Sequence, residues 1–367
     1  MSVDVIIPVY QPEEKVNRLL DMLTVQTVKP ERVILVHTGE VMKNEPDYRA
    51  DVVIKCDGTM ADAVAKLERE LNQGFSFISH EEKRALRILC VIPKDKFDHG
   101  GSRNLGAALS RADVMVFMTQ DAVPADEYLL ENLLKALNMR KASRQSAAET
   151  GAAEAAVAET DGADTSETEA AAAYARQLPY EDCKAVERYT REFNYPETSE
   201  FRTKSDIPVR GIKTFCNSNV CAAYRRAVFE QLGDFELKTI FNEDMLFGAK
   251  AINAGYGVVY AADARVYHSH NLGLADQFHR NFDTAVSQAE HPEVFAAVSS
   301  EKEGMKLVKY CIGRMREDGR LYLVPYFVLN CGFRYVGFFL GKRYKKLPRG
   351  VVKACSLNKR YWSSRQS

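Results

Sequence analysis

The sequence predicts an α/β protein built on a mostly parallel sheet, and three observations carry that prediction. Short strand-like runs recur at Val3–Val9, Arg32–Val36, Arg87–Ile92 and Val114–Met118, with little polar alternation. Runs of that kind suit strands covered on both faces. Amphipathic stretches of helical period separate them, and strand–helix alternation implies βαβ units. The runs also end in residues able to do chemistry, and open α/β sheets bind ligands at the carboxyl ends of their strands.

In chain order, Val3–Val9 carries no basic lead-in and already holds Asp4, so it reads as a first strand and not as a signal peptide. Pro12-Glu13-Glu14 suits a first helical turn, and Val16, Leu19, Leu20 and Leu23 follow at helical spacing. The strand Arg32–Val36 ends in His37-Thr38-Gly39. Ala61–Leu71 reads as helix and Arg87–Ile92 as strand. The turn Gly100-Gly101 leads into a helix over Ser102–Ser110. The strand Val114–Met118 delivers Thr119-Gln120-Asp121 to its carboxyl end. Asp126–Leu137 reads as a helix with Tyr128, Leu129 and Leu133 inward. From Ala142 to about Ala173, Ala, Glu, Thr, Ser and Asp dominate. Too few large apolar side chains are present to offset the cost of ordering, so a disordered or loosely helical surface insertion is expected.

Order resumes at Arg176-Gln177-Leu178-Pro179. Glu187-Arg188-Tyr189 and Phe193–Pro196 form an aromatic and charged patch. Thr214–Tyr224 reads as strand or loop and carries Asn217, Ser218 and Asn219. Arg225–Leu232 is a short helix, and Met245–Asn253 is a helix that begins at Glu243-Asp244 and stops at Gly255. Tyr256–Tyr260 is a strand, followed by Val266-Tyr267-His268-Ser269-His270. The divisions expected are 1–141, a first half; 142–175, the insertion; 176–300, a second half; and 301–367, a helical tail.

The 367 residues carry no net charge, but the distribution is uneven. From Lys302 onward sixteen Lys or Arg face three acids, a net +13, so the preceding residues carry −13. A basic tail on an acidic body points to an anionic surface. Within it, Leu321–Leu340 is long enough to span a bilayer, but it contains Pro325, Asn330 and Arg334. Aromatic residues recur through it, and Lys342, Arg343, Lys345 and Lys346 follow. That composition favours a helix lying in a headgroup layer over a buried core helix or a true span. Its basic residues are interleaved with an apolar run and not a polar groove, which argues against nucleic acid. The eight cysteines show no CxxC or zinc-finger spacing and read as reduced thiols.

Asp121 is the leading metal-ligand candidate, because a hard divalent cation takes carboxylate oxygen together with diphosphate oxygens. Capping the next helix would use the same position. Glu243-Asp244 is the leading general-base candidate. His268 and His270 share one face of an extended segment and suit either a structural or a metal-binding task. Arg103 and Arg176 can neutralise phosphate or pair on the surface. No GxxxxGK[ST], no GxGxxG after the first strand and no GxSxG occur, which argues against P-loop, dinucleotide and α/β-hydrolase chemistry.

The segments VIIPVYQPEEKVNRLLDMLTVQT, FDHGGSRNLG, FMTQDAVPADEYLLENLL, ARQLP, ERYTREFNYP, CNSNVCAAYRRAVFEQLGDFE, FNEDMLFGAKAINAGY and VYHSHN, in this order, resemble the inverting family 2 glycosyltransferases. The similarity is greatest to the bacterial rhamnosyltransferase branch, and the ending through Tyr361-Trp362 is similar too. The resemblance implies the type A nucleotide-sugar glycosyltransferase fold, with a Rossmann-like first half. It implies a donor such as dTDP-rhamnose, with UDP-hexose or UDP-N-acetylhexosamine as the alternative, and Mg²⁺ or Mn²⁺ as cofactor. A non-catalytic nucleotide-sugar or membrane-binding module is the other reading.

By the same resemblance Asp121 is the last acid of a DxD motif whose first acid is Thr119 here. His268 or His270 supplies a further metal ligand. Asp244, with Glu243 beside it, is the catalytic base. Donor contacts fall at Pro8, Tyr10, Glu14, Thr38, Asp98, Gly101, Arg103, Asn104, Gln120, Arg176 and Gln177, and acceptor contacts at Asn217 and Asn219. His37-Thr38-Gly39 stands where many relatives carry an acidic DSG-type turn, and Ala175 stands where glycine is usual. The expected setting is cytoplasmic, peripheral to the inner face of the cell membrane, with a lipid-linked or cell-wall glycan as acceptor.

Overall fold

In a computed structural model of the chain, residues 1–42, 48–74, 84–142, 167–296 and 301–364 are described. The first half runs β1 (Val3–Val9), α1 (Lys15–Thr24), β2 (Arg32–Thr38), β3 (Val52–Lys55), α2 (Met60–Gly74), β4 (Leu86–Ile92), α3 (His99–Leu109), β5 (Val114–Met118), β6 (Val123–Pro124), α4 (Leu129–Leu137) and β7 (Arg140–Ala142). The second half runs β8 (Glu167–Leu178), α5 (Ala185–Asn194), β9 (Glu200–Arg202), α6 (Ile207–Arg210), β10 (Cys221–Arg225), α7 (Arg226–Gln231), α8 (Glu243–Asn253), β11 (Gly257–Tyr267), α9 (Leu274–Glu290) and α10 (Pro292–Phe295). The tail adds α11 (Glu301–Glu317), α12 (Val324–Gly341), α13 (Arg349–Cys355) and α14 (Lys359–Ser364).

The sheet order is β3-β4-β2-β1-β5-β10-β8-β11-β6. β3, β4, β2, β1 and β5 are mutually parallel, and β10 inserts antiparallel between β5 and β8. β11 then pairs parallel with β8. Two reversals across β10 restore direction, so β1, β2, β5, β8 and β11 all end on one edge.

Both faces of the sheet are covered. On one face Val5, Ile7 and Val9 of β1 meet Val16, Leu19, Leu20 and Leu23 of α1 and Leu129, Leu130 and Leu133 of α4. On the other, Ile6 and Phe117 belong to a cluster with Tyr224, Phe229, Phe235 and Phe247, whose rings pack largely edge to face. Helix α3 lies close on this side: a Cβ at Gly106 would stand 2.3 Å from Ile6 Cγ2.

Two expectations need correction. The surface insertion expected over 142–175 is wrong at its C-terminal end. Ala170, Ala171, Ala172, Ala173 and Ala175 are buried in β8, in the middle of the sheet. Small side chains serve there because β10 and β11 flank the strand and helices cover both faces, with α4 lying directly against it. The remainder, 143–166, lies outside the described residues. Tyr128 is exposed, because α4 begins one residue later. The tail packs on the body. Tyr361 and Trp362 are buried with Ile240, Phe282 and Val286, and α12 packs along α9.

At the α12–α9 contact, a Cβ on Gly337 would stand 2.2 Å from the Phe278 carbonyl oxygen. Gly337→Ala should therefore force the helices apart, costing about 1–3 kcal/mol as overpacking does. A thermal melt lowered by several degrees is the expected outcome, and an unchanged melt would contradict this packing.

Candidate active site

Strand ends build the site. The ends of β5, β8 and β11 deliver Asp121, Gln177 and His268, while β10 begins just after Asn217 and Asn219. Asp121 Oδ2 stands 3.3 Å from His270 Nε2 and 3.5 Å from His268 Nε2, and the two imidazole nitrogens are 3.1 Å apart. One ligand atom from each residue falls within 4.8 Å of the others. Burial drives the His268 imidazole down to about 3 in spite of the Asp121 charge, and burial lowers His270 as well. Burial works against the Asp121 charge, but His268 and His270 outweigh it and hold the carboxyl below its usual range. The cluster thus groups a carboxylate with two imidazoles whose charged form burial disfavours. His268 Nδ1 sits 3.0 Å from Gln177 Oε1, which also accepts from Arg191 Nη1 at 2.6 Å. With Nδ1–H donated to Gln177, the Nε2 lone pair faces Asp121 and His270, the orientation a metal-ligating histidine takes. The donor set fits a divalent cation that accepts both nitrogen and oxygen.

Glu243 and Asp244 open α8, and their environments separate them. Arg103 Nη1 is 3.1 Å from Glu243 Oε1 in a buried ion pair. Burial opposes the Glu243 charge, but Arg103 and then His99 outweigh it, so its carboxyl lies below the usual range. Asp244 has no cation of its own. Burial raises its carboxyl, ionised Glu243 raises it further, and it reaches about 7. Its oxygens accept the Asn219 amide at 3.0 Å and the Met245 amide at 2.8 Å. Paired carboxylates pushed apart in this way divide into a fixed charge and a proton acceptor.

Asp121, His268, His270, Arg103, Glu243 and Asp244 line one cavity of about 570 Å³. A second, of about 670 Å³, lies beyond the ends of β1 to β4 and is lined by Tyr10, Thr38, Lys55, Asp57 and Lys94. The structure therefore brings both acids highlighted by the sequence to one cleft, with Tyr10 and Thr38 at its far end.

Other expected contacts have work inside the chain. Asp98 caps α3 by accepting the Gly101 amide at 2.7 Å and also accepts the Lys238 amide. Asn104 satisfies both backbone groups of Phe235. Gln120 ties down the Tyr10 backbone from both sides. Arg176 pairs with Glu197 at 2.9 Å, and Pro8, Glu14, Gly101, Arg176 and Gln177 line neither cavity. Asn217 donates to the Tyr224 hydroxyl at 2.9 Å, and that hydroxyl donates to Asn219 Oδ1 at 2.6 Å. The Asn219 amide in turn holds Asp244. These asparagines line the cavity, but their side chains are engaged by Tyr224 and Glu243, and the Asn219 backbone amide positions Asp244.

Sequence reasoning passed over Arg191, which fixes Gln177, and Arg280, which lines the main cavity beside Phe241. Glu187 four residues before Arg191 was a legible signal of a helical ion pair, 2.9 Å long here. Arg280 gave none.

No family profile matches the chain. Over 370 aligned residues it is 32% identical to the O-antigen chain rhamnosyltransferase RfbN of Salmonella typhimurium, covering all of this chain and 98% of that protein. It is 34% identical to the O-antigen chain rhamnosyltransferase WbaN of Salmonella anatum over 76% of this chain and 80% of that one. Among solved structures, residues 1–349 of S. aureus TarS align at 13% identity and a TM-score of 0.42, over 94% of this chain and 91% of that one. A mannosyltransferase from Pyrobaculum calidifontis, in complex with GDP-Man and Mn²⁺, aligns at 14% identity and a TM-score of 0.43, over 100% and 84%.

Proposed function

The chain belongs to the family of the O-antigen chain rhamnosyltransferases and is a glycosyltransferase, and from that membership we propose that it moves rhamnose from dTDP-rhamnose onto a lipid-linked polysaccharide precursor at a membrane surface. The observation that carries the reading is the convergence of Asp121, His268 and His270 with Asp244 on one cavity. Asp244 accepts the proton of the acceptor hydroxyl, since a carboxyl held at about 7 is a competent base near neutrality. The acceptor oxygen forms its bond to the anomeric carbon as the bond to the diphosphate breaks, and one such displacement inverts that centre. Arg103 keeps Glu243 ionised, and Asn219 aims the Asp244 carboxylate. Asp121, His268 and His270 would hold Mg²⁺ or Mn²⁺, which would supply positive charge against the departing diphosphate. The nitrogen-rich set favours Mn²⁺, because Mg²⁺ prefers oxygen ligands.

The membrane side of the reading comes from α12. Leu321–Gly341 is long and apolar enough to cross a bilayer, and it is only 17% buried. Yet Gly337 and Gly341 seat it against the backbone of α9, so it stays with the protein. Tyr322, Val328, Leu329, Tyr335, Val336 and Phe339 point outward, and Lys342, Arg343, Lys345 and Lys346 follow at one end. An apolar stripe with a basic end suits insertion among anionic headgroups. The free cysteines and a nucleotide-sugar donor fit the cytoplasmic face.

The test supplies a lipid-linked glycan, Mn²⁺ and, in turn, dTDP-rhamnose, UDP-glucose and UDP-N-acetylglucosamine. Rhamnose transfer with dTDP release is the expected result. Turnover of a UDP-sugar alone would move the donor assignment, and turnover of none would overturn the reading. In the same preparation the protein should sediment with anionic vesicles, and Tyr335→Asp with Phe339→Asp should release it.

A further inference from the structure

A third cavity, of about 600 Å³, lies between the two already described. It shares Tyr10 and Thr38 with the outer pocket, and His99, Phe241 and Arg280 with the cavity that holds Asp121 and Asp244. Its remaining wall is the C-terminal turn, which contributes Lys359 and Arg360. We propose that Lys359 and Arg360 are donor-binding residues that hold the diphosphate of the nucleotide sugar. The assignment rests on the nucleotide-sugar donor proposed above and extends it to a part of the chain far from the strand ends.

Position is the first support. A nucleotide sugar with its base toward Tyr10 and Thr38 and its anomeric carbon near Asp244 must lay its diphosphate across the space between. Charge is the second. Of the arginines lining the catalytic cavity near this space, Arg103 is committed to Glu243, and Arg280, which also lines the third cavity, lies over the Phe241 ring. Lys359 and Arg360 are exposed to the cavity and make no ion pair with a described residue. Cleavage leaves a further negative charge on the diphosphate, and fixed cations at that point act where charge develops.

Preorganisation is the third support. The turn is pinned on both sides of the two cations. The Leu357 amide donates to Asp283 Oδ2 at 2.9 Å, and His279 Nδ1 meets the Cys355 carbonyl oxygen at 2.7 Å. Beyond the cations, Tyr361 and Trp362 are buried, and the Tyr361 hydroxyl donates to Glu290 Oε2 at 2.7 Å. The acid in this wall, Asp283, is itself buried and occupied by the Leu357 amide, and burial raises its carboxyl to about 6. With the backbone already fixed, ordering these two side chains is the main conformational cost of binding.

The experiment compares dTDP, UDP, dTMP and thymidine binding by calorimetry, with Mn²⁺ present, to the full-length protein and to K359Q/R360Q. The double variant should bind dTDP at least thirtyfold more weakly, bind thymidine unchanged, and show a shallower dependence of affinity on salt. Charge-preserving K359R/R360K should recover most of the loss, and all forms should melt alike without ligand. Equal dTDP affinity and equal salt dependence in wild type and double variant would overturn the assignment alone. Failure of the wild type to bind either dTDP or UDP would overturn the donor reading and this assignment with it.

Discussion

Asp244→Asn should reduce sugar transfer by about a thousandfold or more while leaving dTDP binding intact. A positioned general base contributes about 10²–10⁴-fold, and the amide keeps the shape but cannot take a proton. In the wild type, transfer should fall about tenfold per pH unit below about 7, where Asp244 becomes protonated. Stability should move oppositely. The folded carboxyl titrates near 7 and the unfolded one near 3.8, so between these values the folded state binds the extra proton. Wild-type stability therefore declines as pH rises through that window and levels off above it. Asp244→Asn removes the penalty. Its NH2 must face the backbone N–H of Asn219 or Met245, so the expected difference is one of slope: its stability should vary less with pH than the wild type's between pH 4 and 7. A variant that retained wild-type turnover would exclude Asp244 as the base.

Removal of the proposed metal ligands should be nearly as costly. Asp121→Ala leaves two imidazoles with no carboxylate, and His268→Ala removes the ligand whose orientation Gln177 fixes. Each should weaken Mn²⁺ binding by well over the roughly 10–100-fold typical of losing an outer partner, and Gln177→Ala should fall within that range. Calorimetric titration of Mn²⁺ reads this without turnover. Chelator should suppress wild-type transfer, and added Mn²⁺ should restore it. Full activity after exhaustive chelation would remove the cation from the mechanism.

The central strands were legible because burial on both faces leaves an uninterrupted apolar signature. β1 and β5 run over the residues expected, Val3–Val9 and Val114–Met118. β8 was illegible because its core residues are alanines, continuous in composition with the polar run before them. β3 was missed for a different reason. It is a short edge strand in which Val53 is exposed and only alternate residues are buried. At the site, Asp121, His268 and Asp244 could be read because each stands at the end of a strand or the start of a helix, where local pattern fixes position. Arg280 and the 359–360 pair could not. Their place depends on α9 and the tail folding back across the cleft, and no local periodicity encodes that.

The pairing of β7 with β8 has a practical side. Ala142 lies opposite Glu167 in an antiparallel ladder, so the two ends of the stretch 143–166 are held together by backbone hydrogen bonds. β8 then runs 12 residues, roughly 36–40 Å, before reaching the edge that carries Gln177. A fluorophore or an affinity handle attached beside Ala142 or Glu167 would therefore be tethered at the edge of the sheet opposite the one that carries Gln177.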